Sequence, residues 1–103
     1  MKLITIVNAR MSLQKLVQQD LPIRTAWQVM KLTDECNIHL QFYGGQIRKL
    51  GDDPDPDKLA ALQDMEISEL DARVKISVPL DGNIRLSAVD LKALAPFVEF
   101  EEV

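Results

Sequence analysis

Between Pro22 and Pro54 the chain contains no other proline, and across that stretch apolar or small side chains return every three or four residues. Ala26, Val29, Met30, Thr33, Cys36, Asn37, Leu40, Tyr43, Ile47 and Leu50 form a stripe that holds for about seven turns at 3.6 residues per turn. This predicts one long amphipathic helix over residues 21–50, opened by Asp20 as N-cap with Pro22 in the first turn. Gly44-Gly45 interrupts it, and each glycine costs about 1 kcal/mol relative to alanine inside a helix. The stripe stays in register through Ile47 and Leu50, which favours one helix bent or loosened at residues 44–45 over a helix that stops there. Gly51 is the more natural terminator.

The rest of the chain must pack against that helix. In the segment before it, Ile6, Ala9, Leu13, Leu16 and Val17 share one helical face, giving a first helix over about residues 6–19. Residues 2–5, β-branched and apolar, fit an edge strand. After Gly51 the run Asp52-Asp53-Pro54-Asp55-Pro56-Asp57 cannot propagate regular structure and reads as an exposed connection. Asp55 capping and Pro56 at the first helical position start a third helix over about residues 56–70, with Leu59, Leu62 and Met65 facing inward.

Arg73-Val74-Lys75-Ile76-Ser77-Val78 alternates with the period of a half-buried strand, its inner face Val74, Ile76 and Val78. Pro79 limits it, Asp81-Gly82-Asn83 supplies turn chemistry, and residues 84–86 are expected to return antiparallel as a second strand. Ser87 with Asp90 three positions on is a variant capping box for a short helix over about residues 88–95. Phe97-Val98-Glu99-Phe100 follows as an extended or turn segment. The expected fold is one α+β domain spanning residues 1–103, helix-dominated, with one long central helix packed by two or three shorter ones and a small antiparallel sheet.

Composition narrows the function. A chain of 103 residues can bury about two-thirds of its unfolded surface without staples, and its single cysteine supplies no internal disulfide. No apolar run approaches the roughly 18 residues of a membrane span, and residues 1–7 are too short for a signal peptide, so a reducing cytoplasm is the expected location and no membrane is involved. Cys36 and His39 lie three apart, but two ligands do not make a tetrahedral metal site. Asp53, Asp55 and Asp57 match the opening of a calcium loop that then fails at Lys58 and Asp64, where glycine and glutamate are required. There is no phosphate cradle, no nucleophile elbow and one imidazole. The chain is expected to have no catalytic residue, no cofactor and no metal.

Charge is uneven. Residues 1–50 carry Lys2, Arg10, Lys15, Arg24, Lys31, Arg48 and Lys49 against Asp20, Asp34 and Glu35, while most of the 16 acidic side chains fall after residue 50. The halves can fold against each other, or meet head to tail between subunits. Nucleic-acid binding by the first half is disfavoured, because its basic residues are scattered singly along helices. Trp27, one turn before Lys31, and Leu32 lie off the main stripe. These three make up a candidate interaction surface, although Trp27 also fits the role of a core-edge anchor.

Two stretches carry a resemblance. Leu21-Pro22-Ile23-Arg24-Thr25-Ala26-Trp27, running on to Lys31-Leu32, resembles the start of the long helix in a family of small uncharacterised proteins of tailed phages and prophages, mostly of Gram-positive bacteria. Leu86-Ser87-Ala88-Val89-Asp90-Leu91-Lys92-Ala93-Leu94-Ala95-Pro96-Phe97-Val98-Glu99 is similar to that family's closing segment. The chain departs from the family at Gly44-Gly45, where charged helix formers are usual, and in its short connection over residues 52–57. The resemblance implies a phage or prophage origin and no catalytic residue. The expected function is therefore a non-enzymatic accessory protein acting through protein contacts, as a homo-oligomer or with a phage or host protein, in the host bacterial cell or the virion. The alternative is a regulator that binds nucleic acid or a host protein during infection.

Overall fold

A computed structural model describes residues 1–71 and 74–102. Its elements in order are α1 (Leu3–Val17), α2 (Ile23–Leu50), α3 (Pro56–Gln63), α4 (Ser68–Asp71), β1 (Ile76–Leu80), α5 (Ala88–Leu94) and β2 (Val98–Glu102). The chain is helix-dominated with a small two-stranded sheet. α2, with 28 residues, extends about 42 Å at 1.5 Å per residue and sets the long axis of a molecule measuring 47 × 25 × 18 Å.

α1 presents Leu3, Ile6, Ala9, Leu13 and Leu16 inward, all essentially without exposure, and packs against α2 and α5. Where residues 2–5 were expected as an edge strand, only Lys2 pairs, in a single antiparallel bridge to Glu66, and the helix is already formed at Leu3. The Leu3 N–H donates to the Met65 carbonyl at 2.8 Å and the Ile67 N–H to the Met1 carbonyl at 2.7 Å. That contact also corrects the third helix. It ends at Gln63, because residues 65–67 are held extended against the start of the chain, and the helical turn α4 forms only beyond them.

α2 runs without a break through Gly44 and Gly45 to Leu50. Neither glycine has a positive φ; Gly51 does, at 78°, with ψ at −166°, a backbone region open to glycine alone, and it ends the helix there. Asp20 is not the N-cap. Pro22 holds that position with an extended ψ of 143°, and its carbonyl accepts the Ala26 N–H at 2.8 Å. The buried stripe is also turned from the expected one: Val29, Leu32 and Cys36 are fully buried, whereas Met30 and Asn37 face outward.

The sheet is parallel, not antiparallel. β1 pairs with β2 in the register Ile76↔Val98, Val78↔Phe100, Leu80↔Glu102, and residues 84–86 form no strand. A parallel pair needs a crossover, and the Asp81 turn, residues 84–86 and α5 supply it. Ile76 and Val78 are buried while Val74 stands outside the strand, 87% exposed. Pro79 lies within β1 instead of ending it, a position open to proline because each strand of a two-stranded sheet has a free edge. Arg73, the expected start of that strand, lies outside the described residues. Ile76, Val78, Phe97 and Val98 close the core over the α1 and α2 faces, with Leu94 from α5.

Candidate functional site

α2 has two apolar faces. Opposite the buried stripe lie Ile23, 90% exposed, Trp27, 55% exposed, Met30, and further along Ile38 and Phe42. Of the expected surface residues, Trp27 and Lys31 are brought together: the Lys31 ammonium sits 4.5 Å from the centre of the indole ring, a cation–π contact that a one-turn spacing allows. Leu32 does not belong with them. Five residues after Trp27 it lies about 140° around the helix at 3.6 residues per turn, and it is fully buried in the core. Trp27, Gln28 and Lys31 line a shallow surface depression together with Val74 and Ile76, so exposed Val74 continues the apolar surface from α2 towards β1.

A second cluster joins distant parts of the chain around Asp90. Its carboxylate accepts the Ser12 hydroxyl at 2.7 Å, the Lys15 ammonium at 3.2 Å, and the Ser87 N–H and hydroxyl at 3.0 Å each. The Asp90 N–H donates in return to the Ser87 hydroxyl, completing the capping box of α5. The carboxyl is held far below the usual carboxylate range. The Ser12 hydroxyl contributes most and the Ser87 backbone N–H next; burial opposes them, and the Ser87 hydroxyl and Lys15 add to the lowering. Ser12 gives its proton to a carboxylate that is itself buried, and Lys15 faces that carboxylate. The cluster ties α1 to α5 and offers no nucleophile to a substrate.

Cys36 and His39 lie on the same side of α2 at different depths. Cys36 is buried in the core, whereas His39 is half-buried at its edge, its Nε2 3.6 Å from Glu69 Oε1. Among the described residues no group of three His, Cys, Asp or Glu side chains is placed to hold a metal ion. In the acidic connection Asp55 caps α3 by accepting the Asp57 N–H at 2.9 Å. Among the described residues no helix is long and apolar enough to cross a membrane.

The fold and its surface define a helix-dominated α+β chain whose main exposed feature is the second apolar face of α2. No protein-family model, curated protein or solved structure matches it. Sequence reasoning found Trp27 and Lys31 but placed Met30 on the inner face and did not single out Ile23, Ile38 and Phe42. The signal was present: Ile23, Trp27 and Met30 step by four and three, and after Asp34 on the same side Ile38 and Phe42 step by four, offset from the inner stripe by about half a helical turn. The Asp90 cluster was legible only in its local half, the capping box with Ser87.

Proposed function

We propose that this chain is a non-enzymatic phage or prophage accessory protein that acts through protein contacts and is carried in the virion. The observation that carries the reading is the second apolar face of α2. Ile23, Trp27, Met30, Ile38 and Phe42 stand exposed on one helix, and an exposed apolar series of that extent marks a contact surface. The similarity of residues 21–32 and 86–99 to the phage family supports the phage setting. The Asp90 cluster supports the non-enzymatic part, since its polar groups are spent on one another. Mass spectrometry of purified particles from an induced lysogen tests the proposal. Recovery of this chain in constant ratio to the structural proteins is the expected result. Its confinement to the cell lysate, with retention on duplex DNA that weakens steeply as salt rises, would contradict it and favour the regulator.

A further inference from the structure

On the outer face of α2, Ile23, Trp27, Lys31, Asp34, Ile38 and Phe42 are all exposed. At 3.6 residues per turn they fall within an arc of about 100°, and Ile23 to Phe42 span about 28 Å. Their spacing runs four, four, three, four, four in either direction. The chemistry reads the same way: two apolar residues, a charge, the opposite charge, two apolar residues. From these observations we infer that this face of α2 binds a second copy of the chain through the same face, antiparallel, about a two-fold axis between residues 32 and 33.

A two-fold axis at that height brings each residue onto its counterpart from the other end of the series. Ile23 meets the second copy's Phe42, Trp27 meets its Ile38, and Lys31 meets its Asp34. Each pairing occurs twice, as a closed isologous contact requires. The charges select the orientation. In a parallel pairing at the same height Lys31 would face Lys31 and Asp34 would face Asp34, whereas the antiparallel pairing sets opposite charges against each other on both sides of the axis. Among the described residues neither Lys31 nor Asp34 takes part in a salt bridge within the chain. The Lys31 ammonium already lies over the Trp27 ring, so the apolar and charged parts of the face are adjacent before association.

The inference rests on the protein-contact reading above and names the partner. A single helix pair is smaller than the standard interface of about 800 Å² per partner, so the dimer is expected to dissociate on dilution. Sedimentation equilibrium across a concentration series tests it with four proteins: the natural chain, Lys31→Asp, Asp34→Lys, and the double swap Lys31→Asp with Asp34→Lys. The natural chain should dimerise, each single reversal should weaken the dimer at least tenfold, and the double swap should restore it. Both charged positions are exposed, and unchanged circular dichroism confirms that each variant is folded. Ile38→Glu should leave a folded monomer. A natural chain that stays monomeric throughout the series would overturn the inference, as would a dimer indifferent to the single reversals. Particle association is read separately: a monomer still found in virions sinks the dimer and leaves the accessory role, while a dimer absent from virions does the reverse.

Discussion

The two halves of α2 carry the same apolar period on their inner side and are buried to different depths. In the first half Val29, Leu32 and Cys36 have no exposure. In the second half Leu40, Tyr43, Ile47 and Leu50 are only half-buried. The difference comes from what lies opposite. α1, 15 residues long, reaches about 22 Å and backs the first half together with β1, whereas the second half rests on α3, which contributes no buried residue. A stripe of constant period thus supplies core only where another element meets it. Beyond that point it keeps a helix in register without anchoring it.

The largest effect should come from the deep half. Leu32→Ala removes a fully buried side chain and is expected to cost about 3 to 5 kcal/mol, a large share of a domain stability of about 5 to 15 kcal/mol. Denaturant titration measures it. A cost below about 1 kcal/mol would show that the core does not lie on this side of the helix.

Next in size is the tie between α1 and α5, which braces the same half from behind. Asp90→Ala removes the carboxylate half of the capping box and leaves the buried Ser12 hydroxyl without its acceptor, for about 2 to 4 kcal/mol. Because the folded carboxyl is held below its ordinary range, its contribution is fully present above the unfolded carboxylate pKa of about 4. It is lost as pH falls from there towards the folded value, since the unfolded chain then binds the proton first. Stability measured between pH 6 and pH 2 should therefore fall more steeply for the natural chain than for Asp90→Asn. Equal slopes would mean that the cluster does not hold the charge.

In the shallow half the same chemistry should count for less. Leu40→Ala, half-buried beside the core, is expected to cost about 1 to 2 kcal/mol, short of Leu32→Ala. Equal costs would remove the distinction between the halves. Gly44→Ala with Gly45→Ala should stabilise by about 1 to 2 kcal/mol together. Both glycines are helical; a Cβ at Gly44 meets nothing within 4 Å, and one at Gly45 meets only the Arg48 guanidinium at 4.0 Å. A loss of stability would show that positions 44 and 45 require glycine.

What was legible in the sequence was local. Asp55 with Pro56 and Ser87 with Asp90 announce two helix starts because a cap is made within three residues, and both caps are present. The long helix was legible because its period survives two glycines. Its rotation was not: with apolar residues on both sides, Met30 and Leu32 compete for the inner face, and only the position of α1 decides between them. Strand pairing failed for the same reason. Residues 84–86 are the nearest candidates to β1 along the chain, but Val98 and Phe100 alternate with acids and find it across α5. The bridge between Lys2 and Glu66, which splits the third helix, joins the start of the chain to a segment 64 residues on, a separation at which the sequence pattern gives no pairing signal.

Amide hydrogen exchange along α2 reads the contrast between its halves directly. Protection should be greatest over residues 29–40 and decline steadily to Leu50, with the amides of residues 44–46 still slower than those of the 52–55 connection. A collapse of protection at residues 44–46 would contradict the continuous helix, and protection at residues 43–50 equal to that at residues 29–36 would contradict the shallow second half.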